Sequence, residues 1–134
     1  MSDTERLAAG MICGGFDGPA VDDHVRGLIG RGVRNVILFE RNVESPGQVR
    51  ELVSELRALT DEPLTISVDQ EGGRIVRLTG DKGFAVVPPM REVDDAAAAG
   101  ETLGRACRDV GIDLNFAPVL DVDTNPANPV IGEM

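Results

Sequence analysis

The sequence predicts an α/β fold, specifically the first half (about four βα units) of a (β/α)8 TIM barrel. Three observations predict it. Four apolar segments alternate with three helical patterns, helix-ending glycines feed the strands that follow, and polar residues gather just past the strand ends. The apolar segments are Met11–Gly14, Val33–Phe39, Leu64–Val68 and Ile112–Val122, the last being a strand with its following loop.

Each helix has its own justification. In the first, Val21, Val25, Leu28 and Ile29 form an i, i+4, i+7, i+8 stripe, and Gly32 stands where a left-handed cap is wanted. The second opens with Ser45-Pro46-Gly47-Gln48, a serine N-cap with proline at the first helical position and glutamine at the third, and Val49, Leu52, Leu56 and Leu59 supply its buried face. The third is expected from about Glu92 to Val110, with Leu103, Ala106, Cys107 and Val110 inward and Gly111 ending it. Thr79–Pro89, with two glycines and two prolines, reads as a long rim loop.

The βαβαβαβ order with right-handed crossovers fits a doubly wound sheet as well as a barrel. The alternation of Thr65, Ser67, Asp69 and Glu71 against Leu64, Ile66 and Val68 favours the barrel, whose strands send one face inward and the other to the helices. A complete barrel takes roughly 250 residues. Residues 1–134 are therefore expected to form part of one domain, with two exposed sheet edges that could drive self-association.

Composition narrows the function. With 42% hydrophobic and 27% charged residues the chain is globular rather than disordered. A net charge of −10 repels phosphate backbones and anionic lipid, which argues against nucleic-acid and membrane partners. Lys82 is the single lysine, a bias that would suit a carboxylate surface kept soluble at high salt. The N-terminus lacks the basic and apolar regions of a signal peptide, and a cytoplasmic location is expected. Cys13 and Cys107 lie in no metal or redox spacing and are expected as buried free thiols. His24 is the sole histidine, so no zinc cluster and no Ser-His-Asp triad can be assembled; no metal and no cofactor is expected.

The stretch "SVDQEGGRIVRL", Ser67 to Leu78, concentrates the chemistry. If extended, Asp69 and Glu71 face one side with Cα atoms about 6.6 Å apart, and paired carboxylates are what glycoside hydrolysis uses. Gly72-Gly73 permits positive φ, however, so the chain can swing Glu71 away and return Arg74 toward Asp69. A carboxylate beside a guanidinium makes a poor general acid but a good acceptor for vicinal hydroxyls. Three other readings stay open: an ion-paired turn that caps a strand, an enzyme of another kind using Asp69 and Glu71 directly, and a phosphate-binding loop, the last disfavoured because "IVRL" continues apolar. Asp121 and Asp123 form a second acidic group, which more often caps a loop than holds a metal.

The segments "GGFDGP", "VILFERN", "SVDQEGGRIVRL", "VPPM", "GIDLNFAPVLDVD" and "NPVIGE" follow one another in an order that resembles the N-terminal domain of glycoside hydrolase family 3, in its bacterial-type β-N-acetylhexosaminidase branch. The resemblance runs along nearly the whole chain. It implies a barrel whose complete domain removes terminal β-linked N-acetylglucosamine with retention, and it implies that Asp69 and Arg77 contact the sugar. The family's further binding arginine follows "VIG" and an acidic residue, whereas here Met134 follows Glu133. Its Lys-His pair, His/Asp acid–base loop and aspartate nucleophile come from later strands, so no catalytic residue is assigned within this sequence, which reads as truncated before them. A non-enzymatic half-barrel that pairs with itself or a partner is the alternative.

Overall fold

The computed structural model describes residues 2–122, 124–125 and 127–128. The elements in chain order are α1 (Asp3–Gly10), β1 (Cys13–Gly14), α2 (Asp23–Gly30), β2 (Asn35–Leu38), α3 (Pro46–Arg57), β3 (Thr65–Val68), α4 (Ala96–Arg108) and β4 (Leu114–Asn115). The strands form one parallel sheet in the order β1-β2-β3-β4. A doubly wound sheet reverses its strand order at a switch point, bringing a later strand beside the first. Here each strand simply follows its predecessor, as in a barrel.

Local chemistry sets the helix ends. In α2, Asp22 accepts the Val25 amide at 2.8 Å, and the helix stops where Gly32 takes φ +96°. The Gly32 amide then reaches the Ile29 carbonyl at 3.0 Å and the Val33 amide the Leu28 carbonyl at 3.1 Å, the paired bonds of a Schellman end. Ser45 caps α3 through the Gln48 amide at 3.2 Å, while the Gln48 carbonyl oxygen accepts from Glu44, one residue earlier than a capping box requires.

Three expectations need correcting. The helix expected from Glu92 begins at Ala96, because Asp95 caps it through the Ala98 amide at 3.0 Å, and Met90–Glu92 forms a separate 3₁₀ turn. An additional helix, α1, precedes the first strand: Ser2 and Glu5 form a reciprocal capping box, yet none of its residues is buried, so it left no apolar stripe to read. Cys107 is a buried free thiol as expected, but Cys13 is exposed. Cys13 Sγ stands 3.8 Å from Ser67 Oγ, on the sheet face away from the helices.

The core lies between the sheet and its helices. Val36, Leu38, Ile66 and Val68 are fully buried against Val25 and Ile29 of α2, Val49, Leu52 and Leu56 of α3, and Ala106 and Cys107 of α4. Each such aliphatic side chain contributes about 1.5–3 kcal/mol by burial. A satellite cluster of Val87, Ala99 and Leu103 fastens the rim loop to α4. At the other end, Arg57 joins the Leu64 and Gly111 carbonyls to the Asp113 carboxylate, which in turn accepts the Ile66 amide at 2.8 Å. No helix among the described residues is long and apolar enough to cross a membrane.

Asn42, fully buried, ties the first two rim loops together. Its amino group donates to the Phe16 and Gly18 carbonyls at 3.2 and 2.7 Å, and its carbonyl accepts the Phe39 amide at 2.8 Å. Asn42→Ala removes the side-chain partner of the Gly18 carbonyl and the Phe39 amide, while the Phe16 carbonyl keeps Arg41, and should lower stability by about 2 kcal/mol, measured by urea denaturation.

Candidate active-site rim

The rim is built outward from β3. Val68 and Gln70 are fully buried on the helix side, so Asp69 between them continues the Ser67 face, opposite the helices. Past Glu71 the chain reverses. The Glu71 amide bonds the Ile75 carbonyl at 2.9 Å, and Gly72 pairs with Ile75 as an isolated antiparallel bridge. Gly72 and Gly73 have φ of +101° and +55°, and they also nest against the rim loop: a Cβ on Gly72 would lie 2.6 Å from the Pro88 carbonyl oxygen, and one on Gly73 2.7 Å from Pro89 Cγ.

Gln70 catches the returning strand. Its side-chain carbonyl accepts the Arg77 and Leu78 amides, both at 2.9 Å, and its amino group donates to the Leu78 carbonyl at 3.0 Å. This places Arg77 across from Asp69, with an Nη2 to Oδ2 separation of 3.5 Å and both side chains 24% exposed. The guanidinium that reaches Asp69 is thus Arg77, where sequence spacing had pointed to Arg74. The reason is the length of the excursion: the Gly72-Gly73 turn closes on Ile75, and only after it does the Gln70 clamp return the chain to the mouth.

Neighbouring loops complete the mouth. After β2, Phe39 carries two guanidinium groups, with Arg41 at 4.6 Å and Arg77 at 5.8 Å from its ring centroid. Arg41 in turn bonds the Phe16 carbonyl and the Asp17 carboxylate in the loop after β1. An open cleft of about 490 Å³ is lined by Phe39, Glu40, Arg41, Arg77 and Lys82. From β4, Asn115 brackets Gln70 by accepting its backbone amide and donating to its backbone carbonyl, each at 2.9 Å.

Two polar atoms in this region, the acceptor Glu71 Oε2 and the donor Arg77 Nε, are buried with no hydrogen-bond partner among the described residues. Burial pushes the Glu71 carboxyl above its ordinary range, the charges of Asp69 and Asp121 push it further, and Arg77 opposes them. The arrangement can therefore offer a ligand a carboxylate acceptor at Asp69 and guanidinium donors at Arg77, both partly exposed. Among the described residues no group of three or more His, Cys, Asp or Glu could hold a metal ion. Of the second acidic pair, Asp121 lies within electrostatic reach of Glu71, and Asp123 lies outside the described residues, as do residues 129–133 of "NPVIGE" and Met134 after it.

Both residues expected to contact a ligand, Asp69 and Arg77, come together at this rim. Sequence reasoning missed Gln70, Asn115 and the Asp121–Glu71 proximity. A signal existed for the first two: each is an amide side chain immediately at the end of an apolar strand, where an uncompensated polar group would be costly.

The description "Glycosyl hydrolase family 3 N terminal domain" matches residues 16–134. A β-hexosaminidase of Nitrosomonas eutropha is 42% identical over 113 residues, which are 75% of this chain and 32% of that protein. The chain thus spans about a third of the length of the curated relatives it matches. Among solved structures, a glycoside hydrolase family 3 β-N-acetylglucosaminidase from Paenibacillus superposes with a TM-score of 0.89 at 37% identity, covering 98% of this chain and 27% of that one. NagZ from Neisseria gonorrhoeae, solved in complex with N-trifluoroacetyl-D-glucosamine, gives a TM-score of 0.70 at 32% identity, covering 82% of this chain and 36% of that one.

The Glu71 shift has a measurable consequence. Because the folded state holds the Glu71 proton more tightly than the unfolded chain, the contribution of this group is fully present below the ordinary glutamate value of 4.5 and is lost as pH rises through the raised folded value. Glu71→Gln should therefore flatten the pH dependence of stability above pH 4.5 and leave the variant relatively more stable at neutral pH, read from denaturation midpoints across the pH range.

Proposed function

The chain belongs to the glycosyl hydrolase family 3 N-terminal domain family, and from that premise we propose that it is the sugar-binding part of a β-N-acetylhexosaminidase. In this reading residues 1–134 are part of the barrel domain, and the complete domain releases terminal β-linked N-acetylglucosamine. The observation that carries the reading is the open pair at the mouth, Asp69 and Arg77 at 3.5 Å, each side chain 24% exposed.

A pyranose presents vicinal hydroxyls, each able to donate and accept. Asp69 accepts from them and Arg77 donates to them, and because Arg77 is also braced on Phe39 the donors are held in place before the sugar arrives. Neither residue is assigned bond-breaking. In the retaining mechanism a carboxylate attacks the anomeric carbon, the leaving oxygen is protonated, and water then releases the sugar from the glycosyl-enzyme. This reading assigns neither the nucleophile nor the acid–base group of that sequence to residues 1–134. The two free thiols support a reducing, cytoplasmic setting, and the net charge of −10 supports a saccharide rather than a nucleic acid as ligand.

A second reading is favoured by a specific feature, the apolar residues along the open β4 edge. Leu114 and Phe116 are 44% and 48% exposed, and Leu120 and Val122 follow at 85% and 79%. Self-association through this edge would bury them.

Two measurements test these readings. N-acetylglucosamine should bind the chain weakly and saturably by chemical-shift titration, and Asp69→Ala or Arg77→Ala should lower that affinity by about tenfold or more, the loss expected for a charge-assisted hydrogen bond; undiminished binding by Asp69→Ala, or none by the unaltered chain, refutes the sugar-site reading. Sedimentation should show mass rising with concentration, and a monomer at every concentration would refute edge pairing.

A further inference from the structure

We propose that Gln70 is a positioning residue for sugar contact: it sets where the Arg77 guanidinium stands relative to Asp69, and Asn115 holds Gln70 in register. The proposal rests on the sugar-binding reading above, and goes beyond it to a residue that touches no ligand.

Gln70 is fully buried, and its amide is oriented without ambiguity by its partners. The carbonyl oxygen faces two N–H groups, Arg77 and Leu78, and the amino group faces a carbonyl, Leu78. Its own backbone amide and carbonyl are taken by the two ends of the Asn115 side chain. Asp69 thus precedes a residue fixed on both main-chain and side-chain sides, and Arg77 is gripped by its backbone amide at the distance of one hydrogen bond.

The reach across the mouth makes this matter. Between Asp69 and Arg77 the chain makes a seven-residue excursion through two glycines. Besides the bonds of the 71–75 turn and the contact of that turn with Val87, two things return residues 77–78 to the end of β3: the Leu78 side chain, fully buried in the core, and the Gln70 amide, which alone of the two grips the Arg77 backbone. The Asp69–Arg77 contact itself, at 3.5 Å and partly exposed, is too long and too wet to hold the loop. Positioning therefore runs from Gln70 to Arg77, and not from the ion pair to the loop.

A purely structural staple and a positioning residue differ in what they move. In the isotopically labelled chain, the Arg77 and Leu78 amides should be protected from hydrogen exchange to the level of Ile66 and Val68; exchange as fast as that of exposed Asp81 overturns the proposal without any variant or ligand. Gln70→Leu, of similar size but without the amide, should shift the Arg77 Nε–H resonance and speed its exchange with water. It should also weaken N-acetylglucosamine binding by about tenfold. Gln70→Glu keeps the acceptor oxygen for both amides and, read at a pH low enough for the buried acid to be neutral, can still donate its O–H to the Leu78 carbonyl, so it should hold affinity to within about threefold of the unaltered chain. A folded Gln70→Leu with unchanged affinity and an unchanged Arg77 Nε–H resonance overturns the proposal. Should Gln70→Leu fail to fold, the exchange rates and Gln70→Glu decide it, with a tenfold loss in the latter alongside unprotected amides counting against it. Absence of sugar binding by the unaltered chain refutes the sugar reading alone, since exchange and the Nε–H resonance still report whether Gln70 places Arg77.

Discussion

Three hydrogen bonds from one buried amide hold the rim in its shape. Gln70 leaves β3 on the helix side and uses its carbonyl twice and its amino group once to retrieve the chain after a two-glycine reversal. In a low-dielectric interior such bonds are hard to replace, because losing the amide would leave two N–H groups and a carbonyl with no water to turn to. Everything functional at this end of the molecule is placed by that constraint. Asp69 is upstream of it, Arg77 downstream, and the glycine turn between them is pressed onto the Val87–Pro89 loop so tightly that no side chain fits at either glycine.

The clamp also explains why two carboxylates only two residues apart behave differently. Asp69 keeps a guanidinium across from it and a quarter of its surface open. Glu71 follows Gln70 into the reversal, where burial and the charges of Asp69 and Asp121 disfavour its ionised form. The first suits acceptance of hydrogen bonds from sugar hydroxyls. The other carries an oxygen with no partner, a local cost that the surrounding fold sustains.

Much of this was legible in the residues themselves. Ser45-Pro46 and Gly32 mark helix ends through chemistry that acts within one turn, and the structure keeps both. A parallel α/β sheet followed from the alternation of element types, and its barrel-like order from the polar alternation of Thr65, Ser67 and Asp69 against Leu64, Ile66 and Val68. What escaped was whatever depends on contacts across the fold. Helix α1 buries nothing, so no periodicity betrayed it, although Ser2 and Glu5 held the capping signal. Arg74 was expected opposite Asp69 because a tight turn returns its nearest arginine first; the choice of Arg77 is made by Gln70, whose reach cannot be seen from spacing. Asp121 meets Glu71 only because β4 lies beside β3. Cys13 was expected inside because free thiols usually are, yet it lies on an outermost strand and on the face the helices do not cover.

The strand order β1-β2-β3-β4 carries one more implication, for how the chain is made. Every backbone ladder joins a strand to the one synthesised just before it, with a single helix in the intervening stretch, so no partner has to wait for a distant segment to emerge from the ribosome. Each βα unit can settle onto a surface that already exists, and the growing edge stays short and transient at every step. Assembly by accretion of this kind leaves each newly added strand the least protected until the next one covers it, and β4, the last strand among the described residues, bears Asn115, the residue that locks the mouth of the sheet.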